Sequence, residues 1–91
     1  MRQLQSQKHT NFMPTGVEVG ALYKHYSGKV YRIIALARDS ENPTNILVIY
    51  QGQQECPTFG QNPMWARPYA MFIEEATING LKKARFEKIL T

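Results

Sequence analysis

Cysteine occurs once in this 91-residue chain, at Cys56, and histidine twice, at His9 and His25. A single thiol excludes an internal disulfide and gives no sign of an oxidising compartment. The two imidazoles stand far apart, with no cysteine pair and no His-x-x-x-His spacing, so no metal is expected. No glycine loop precedes a helix in the manner of a phosphate cradle, and no other cofactor is expected. No apolar run approaches the roughly 20 residues of a membrane span. The N-terminus begins basic but lacks an apolar core, so no signal peptide is predicted. These absences point to a soluble cytoplasmic protein without membrane association.

The length allows one domain. A chain of this size buries only about 60% of its unfolded surface, which leaves little room for a large enclosed active site.

The formal net charge is +4, and its placement is uneven. Over residues 20–76, Lys24, Lys29, Arg32, Arg38 and Arg67 balance Asp39, Glu41, Glu55, Glu74 and Glu75. Arg2 and Lys8 against Glu18 add one charge, and Lys82, Lys83, Arg85 and Lys88 against Glu87 add three. The excess lies at the ends of the chain. Nucleic-acid binding usually needs a basic patch on the folded face, which the middle of the chain does not supply.

Residues 28–51 organise the chain. Two runs rich in Ile, Val and Tyr flank Asp39, Ser40, Asn42 and Pro43, the pattern of two antiparallel strands joined by a loop. Neither run alternates cleanly. Val30, Ile34 and Leu36 would face one way, and Tyr31, Ile33 and Ala35 the other. A strand apolar on both faces is covered on both, or belongs to a small closed barrel. Pro43 is expected to stop the strand and keep residues 39–45 as a connection.

The flanking segments read as additions to this pair. Residues 1–15 are Gln-rich and polar, and predict a flexible tail, with Phe12 and Met13 the candidates for docking. Val17 to Val19, between two glycines, suggests a short extended segment. Residues 22–26 alternate, Leu22, Lys24 and Tyr26 against Tyr23 and His25, as a strand would. Residues 51–64 are polar, hold two Gly and two Pro, and show no period, so a long loop is expected. Pro68 suits the first position of one short helical or 3₁₀ turn. Ala76 to Ile78 predicts a strand and Asn79-Gly80 a type I′ turn. In residues 81–90, Phe86, Ile89 and Leu90 suit a helical face, while Arg85-Phe86-Glu87 suits a returning edge strand. The preceding turn favours the strand for the first half.

The run Gly20-Ala21-Leu22-Tyr23-Lys24-His25-Tyr26-Ser27-Gly28-Lys29-Val30-Tyr31 resembles the opening of a small bacterial family of unknown function, DUF1653. Further pieces follow in the family's order: Ala37-Arg38-Asp39-Ser40-Glu41, Val48-Ile49-Tyr50, Trp65-Ala66-Arg67-Pro68, Met71-Phe72 and Arg85-Phe86. The resemblance implies an all-β fold, a small SH3-like β-barrel over residues 16–91, and no known activity. It also marks two departures: Asp39 stands where the family commonly has His, and the stretch from Tyr50 to Trp65 is longer than usual.

The polar and aromatic residues singled out by the resemblance are His25, Tyr26, Ser40, Glu41, Tyr50, Trp65 and Arg67. Arginine offers a bidentate fork and the rings offer stacking faces, which suits a planar or anionic ligand. The plainer account has Arg67 pairing with Glu41 or Glu74, Trp65 packing at the rim, and the tyrosines serving as ordinary strand residues. The expected function is a non-enzymatic binding module for a peptide, protein or small anionic group. An alternative is a nucleic-acid-binding barrel. There Lys82, Lys83, Arg85 and Lys88 grip phosphates while Tyr26, Tyr50 or Trp65 stack bases. The plainer account of that basic cluster is a solvated face. A small hydrolase, using Cys56 or Ser40 with His25, lacks both an orienting third group and a nucleophile-elbow pattern.

Overall fold

Two long strands, β2 (Val30–Asp39) and β3 (Asn42–Gly52), form the hairpin on which the rest is laid. The structure is a computed structural model and describes residues 13–89. Along the chain follow or precede β1 (Leu22–His25), β4 (Glu55–Cys56), β5 (Gly60–Gln61), β6 (Met64–Pro68), a one-turn helix α1 (Tyr69–Phe72), β7 (Glu75–Ile78), β8 (Leu81–Ala84) and β9 (Phe86–Lys88). Five strands make one antiparallel sheet in the order β6-β3-β2-β1-β9, and β4-β5 and β7-β8 are separate two-stranded ribbons. The all-β expectation holds. No helix among the described residues is long and apolar enough to cross a membrane.

The mixed alternation of the organising pair has a local cause. Ile33 pairs with Tyr50, but Ala35 pairs with Ile49, so Ile34 is the extra residue of a β-bulge. The bulge shifts the inward set by one position. Tyr31 and Ile33 face the core before it and Leu36 after it, opposite Gly52, Tyr50 and Val48. Ile33 is 1% exposed and Ile34 38%. Apolar residues on both faces therefore reflect a change of face, not a strand covered twice.

Pro43 does not stop the strand. Arg38 opposes Ile46 while Asp39 opposes Asn42, so residues 43–45 form a second irregularity in which no ladder N–H is required of Pro43. The connection shrinks to Ser40 and Glu41. Residues 51–64 are likewise not one loop. Gln51 and Gly52 finish β3, and Glu55-Cys56 pairs with Gly60-Gln61 as a small hairpin. Pro68 ends β6 with φ −54° and ψ 138° and precedes the helix instead of opening it. Asn79 and Gly80 both have positive φ, 52° and 81°, as a type I′ turn demands. Residues 81–88 are strand in both halves, β8 then β9, and Leu90 lies outside the described residues.

Residues 16–20 are bends and a turn, not an extended segment. Val17 is buried there, and backbone N–H groups of Gly16 and Glu18 donate to the hydroxyls of Tyr69 and Tyr23, both at 3.1 Å. Of the expected tail, residues 1–12, Phe12 included, lie outside the described residues. Met13 and Pro14 are half-buried.

The core is Val17, Tyr23, Ile33, Val48, Tyr50, Phe72 and Phe86. Phe72, delivered by α1, stacks on Phe86 with centroids 4.0 Å apart and planes 6° from parallel. The ladder does not close into a barrel: among the described residues no pairing joins β6 to β9. In a flat sheet these end strands would stand roughly 19 Å apart, four steps of about 4.8 Å. Arg67 of β6 nevertheless sits over the ring of Phe86 of β9, its guanidinium carbon 5.5 Å from the centroid. The sheet is therefore strongly curled, and side chains rather than backbone hydrogen bonds span the seam.

Candidate functional site

The seam is the candidate site. On β6, Trp65 opposes Tyr50 and Arg67 opposes Val48, so both project to the concave face that Tyr50 and Val48 line. Arg67 Nε donates to the Tyr50 hydroxyl at 3.1 Å. Tyr50 meets Tyr31, Phe72 and Phe86 edge to face, with centroids 5.2, 5.4 and 5.6 Å away. A half-buried cation thus lies against an aromatic wall. Among the described residues it has no carboxylate partner and makes no other hydrogen bond. Glu74 is engaged by Arg85 at 3.0 Å, and Glu41 lies on a different part of the molecule. Among the described residues the charge of Arg67 is held by a hydroxyl and ring faces, not by an ion pair.

Burial first, and then the neighbouring Tyr50, raise the Tyr31 hydroxyl above the ordinary tyrosine range, against the lowering pull of Arg67. Tyr31 therefore stays un-ionised beside the guanidinium at neutral pH.

His25 borders the same wall. It stands 5.0 Å from Phe86, edge to face, and 4.2 Å from the Tyr26 ring. The Ser27 backbone N–H donates to its Nδ1 at 3.1 Å, which places the proton of the neutral ring on Nε2. Burial is the main cause that lowers the His25 pKa, followed by the positive charges of Arg67, Arg85 and Lys29.

The expected site residues fall into three groups. Tyr50, Trp65 and Arg67 come together directly, and His25 joins them through Phe86. Tyr26 contacts the His25 ring at a tilt but is itself 46% exposed, and no ring contact joins it to Tyr50, Trp65 or Phe86 among the described residues. Ser40 and Glu41 do not join. The β3–β6 ladder ends at Leu47 and Pro68, and residue 42 lies up to roughly 20 Å along β3 from Val48. Their turn has its own structural account. Asp39 Oδ1 accepts the Glu41 backbone N–H at 2.9 Å and Oδ2 the Asn45 side-chain amide at 3.2 Å. These bonds hold the Asp39 carboxyl below its usual pKa.

Three site residues escape a sequence reading. Phe86 is one apolar residue between charges, the mark of a single inward position on an edge strand. Tyr31 shares the face of Ile33. Phe59, 65% exposed, is the lone ring of the polar β4–β5 hairpin and meets Trp65 edge to face at 5.5 Å. Cys56 lies on that same hairpin, and no hydrogen bond joins it to His25 among the described residues. No group of three or more His, Cys, Asp or Glu that could hold a metal gathers among the described residues.

No curated protein matches the chain. Among solved structures, a crystal structure of a DUF1653 protein from Bordetella bronchiseptica is similar in fold, with a TM-score of 0.66 at 24% identity, over 87% of this chain and 88% of the other. Residues 21–88 match the family model described as a protein of unknown function, DUF1653. That match spans most of the chain, and the protein belongs to the DUF1653 family.

Proposed function

We propose that the protein is a binding module that captures an anionic group, carried by a peptide, a protein or a small molecule, at the seam of its curled sheet. Arg67 is the anchor, and Trp65 with Phe59 supplies the ring surface beside it. One observation carries this reading. Arg67 is half-buried against aromatic rings, and among the described residues no carboxylate balances it. A guanidinium partly removed from water and lacking a counter-charge gains most from an incoming carboxylate or phosphate, which it can hold through its remaining N–H fork. An arginine kept only for scaffolding is expected to have an acidic partner on the protein itself.

Nuclear magnetic resonance titration with acetate, phenylacetate and phenyl phosphate tests this. The expected result is a shift of the Trp65 indole and Arg67 Nε–H resonances, larger with the two aromatic anions. Arg67→Met is expected to weaken the response roughly tenfold or more, since hydrogen bonds to charged groups contribute about 1.5–3 kcal/mol. Its melting temperature is expected to fall by roughly 5–10 °C, because the bond to the Tyr50 hydroxyl, worth about 1–2 kcal/mol, goes with the guanidinium. Lost thermal stability with an unchanged anion response would make Arg67 a scaffold residue and overturn the reading.

A further inference from the structure

A second cationic feature lies on the other side of His25. β1, its continuation at Tyr26, β8 and β9 surround a concavity of about 440 Å³ lined by Lys24, His25, Tyr26, Lys82, Lys83 and Glu87. The volume is within the range of small-ligand sites. The wall is tied by backbone, the Tyr26 N–H donating to the Arg85 carbonyl at 3.1 Å.

The basic C-terminal segment does not act as one surface. Arg85 is committed to Glu74 and Lys88 to Glu18. Lys82 and Lys83 are left with Lys24 of β1, and none of these three makes a salt bridge among the described residues. Glu87, opposite Lys24 in the β1–β9 ladder, is the one carboxylate in the lining, so three lysines and one acid border the concavity. By contrast, the concavity of about 460 Å³ beside Gly20 has its cations engaged. There Arg32 donates to the Gly20 carbonyl at 2.8 Å and Lys88 to Glu18. Tyr26 adds a partly open ring, 46% exposed, with the His25 ring tilted by 32° against it at 4.2 Å.

We infer that this concavity binds a nucleoside phosphate, the phosphate among Lys24, Lys82 and Lys83 and the base stacked on Tyr26. Lysines recognise phosphate as point charges, and an aromatic face takes any base without reading its edge. The same chemistry is offered by a free mononucleotide and by one residue of a single strand. His25 lines the site; its protonation is disfavoured by burial first and then by Arg67, Arg85 and Lys29, and an anion lodged nearby would reverse part of that effect.

The experiment compares adenosine 5′-monophosphate, ribose 5-phosphate, adenosine and an eight-residue oligothymidylate on the full chain, by resonance titration at low and moderate salt. Both phosphate-bearing nucleotide probes are expected to perturb Tyr26, Lys82 and Lys83, to weaken as salt rises, and to raise the His25 pKa. Tighter binding of the mononucleotide or of the strand identifies the natural source, and either supports the site. The double variant Lys82→Gln with Lys83→Gln is expected to lose about tenfold or more in affinity, while Lys88→Gln changes it less than twofold. Tyr26→Ala should weaken the mononucleotide more than ribose 5-phosphate. Adenosine binding as tightly as its phosphate, an unchanged double variant, or no response to any phosphate probe at low salt would each overturn the inference. Arg67→Met separates it from the seam: nucleotide binding should survive that substitution.

Discussion

Arg67 of β6 and Tyr50 of β3 are diagonal neighbours across one ladder, and the guanidinium Nε donates to the phenolic oxygen at 3.1 Å. Val48 is the residue directly opposite Arg67, so the bond pulls the arginine along the strand toward the rings. That direction sets it over Phe86 on the opposite end of the sheet. Tyr50→Phe keeps the ring packing and deletes this one acceptor. A hydrogen bond from a charged donor at a half-buried site is worth about 1–2 kcal/mol. Urea unfolding of Tyr50→Phe is expected to show a loss of that size with an unchanged slope. A loss below about 0.5 kcal/mol would mean that the ring contacts alone position Arg67.

Ile33 and Ile34 are adjacent in sequence and opposite in environment, because the bulge turns the second outward. Ile33→Ala removes three buried carbons from beside Tyr50 and is expected to cost about 2–5 kcal/mol. Ile34→Thr keeps β-branching at a partly exposed site and is expected to change stability by no more than about 0.5–1 kcal/mol. Chemical denaturation of the two variants measures the difference. Similar losses in both would show that Ile34 is packed and that the bulge is not where the register puts it.

The same bulge explains what could be seen in the sequence. The strands of residues 22–26, 28–51 and 76–84 announce themselves through Ile, Val and Tyr runs and through Asn79-Gly80, because these signals are local. The two-residue strands Glu55–Cys56 and Gly60–Gln61 are too short to carry a period, so a hairpin looked like a loop. Arg67 stood out by type, but its surroundings depend on Phe86, nineteen residues later, arriving through the curl of the sheet. The sequence groups Ser40 and Glu41 with it because nothing in Trp65 to Pro68 shows which stretch of β3 it will pair with. The register with Leu47 to Gln51 separates them, and that register is a tertiary fact.

His25 supplies a pH test that needs no ligand. Its pKa in the folded chain lies below the ordinary histidine value of 6.5, through burial first and then through Arg67, Arg85 and Lys29. Between the two values the unfolded chain binds more protons than the folded one, so stability rises with pH there. The contribution is complete above about pH 6.5 and is lost as the pH falls from there through the folded pKa. Melting curves from pH 8 to pH 5 are expected to show this decline in the parent and a shallower one in His25→Gln. The comparison uses the slopes, so any packing lost with the imidazole cancels. Resonance titration of the ring gives the folded pKa directly. A value at or above 6.5, or parallel slopes in parent and variant, would mean that neither burial nor the cations Arg67, Arg85 and Lys29 act on His25. The electrostatic coupling between the arginine seam and the lysine concavity would then be absent, and the two surfaces would be independent in charge as well as in place.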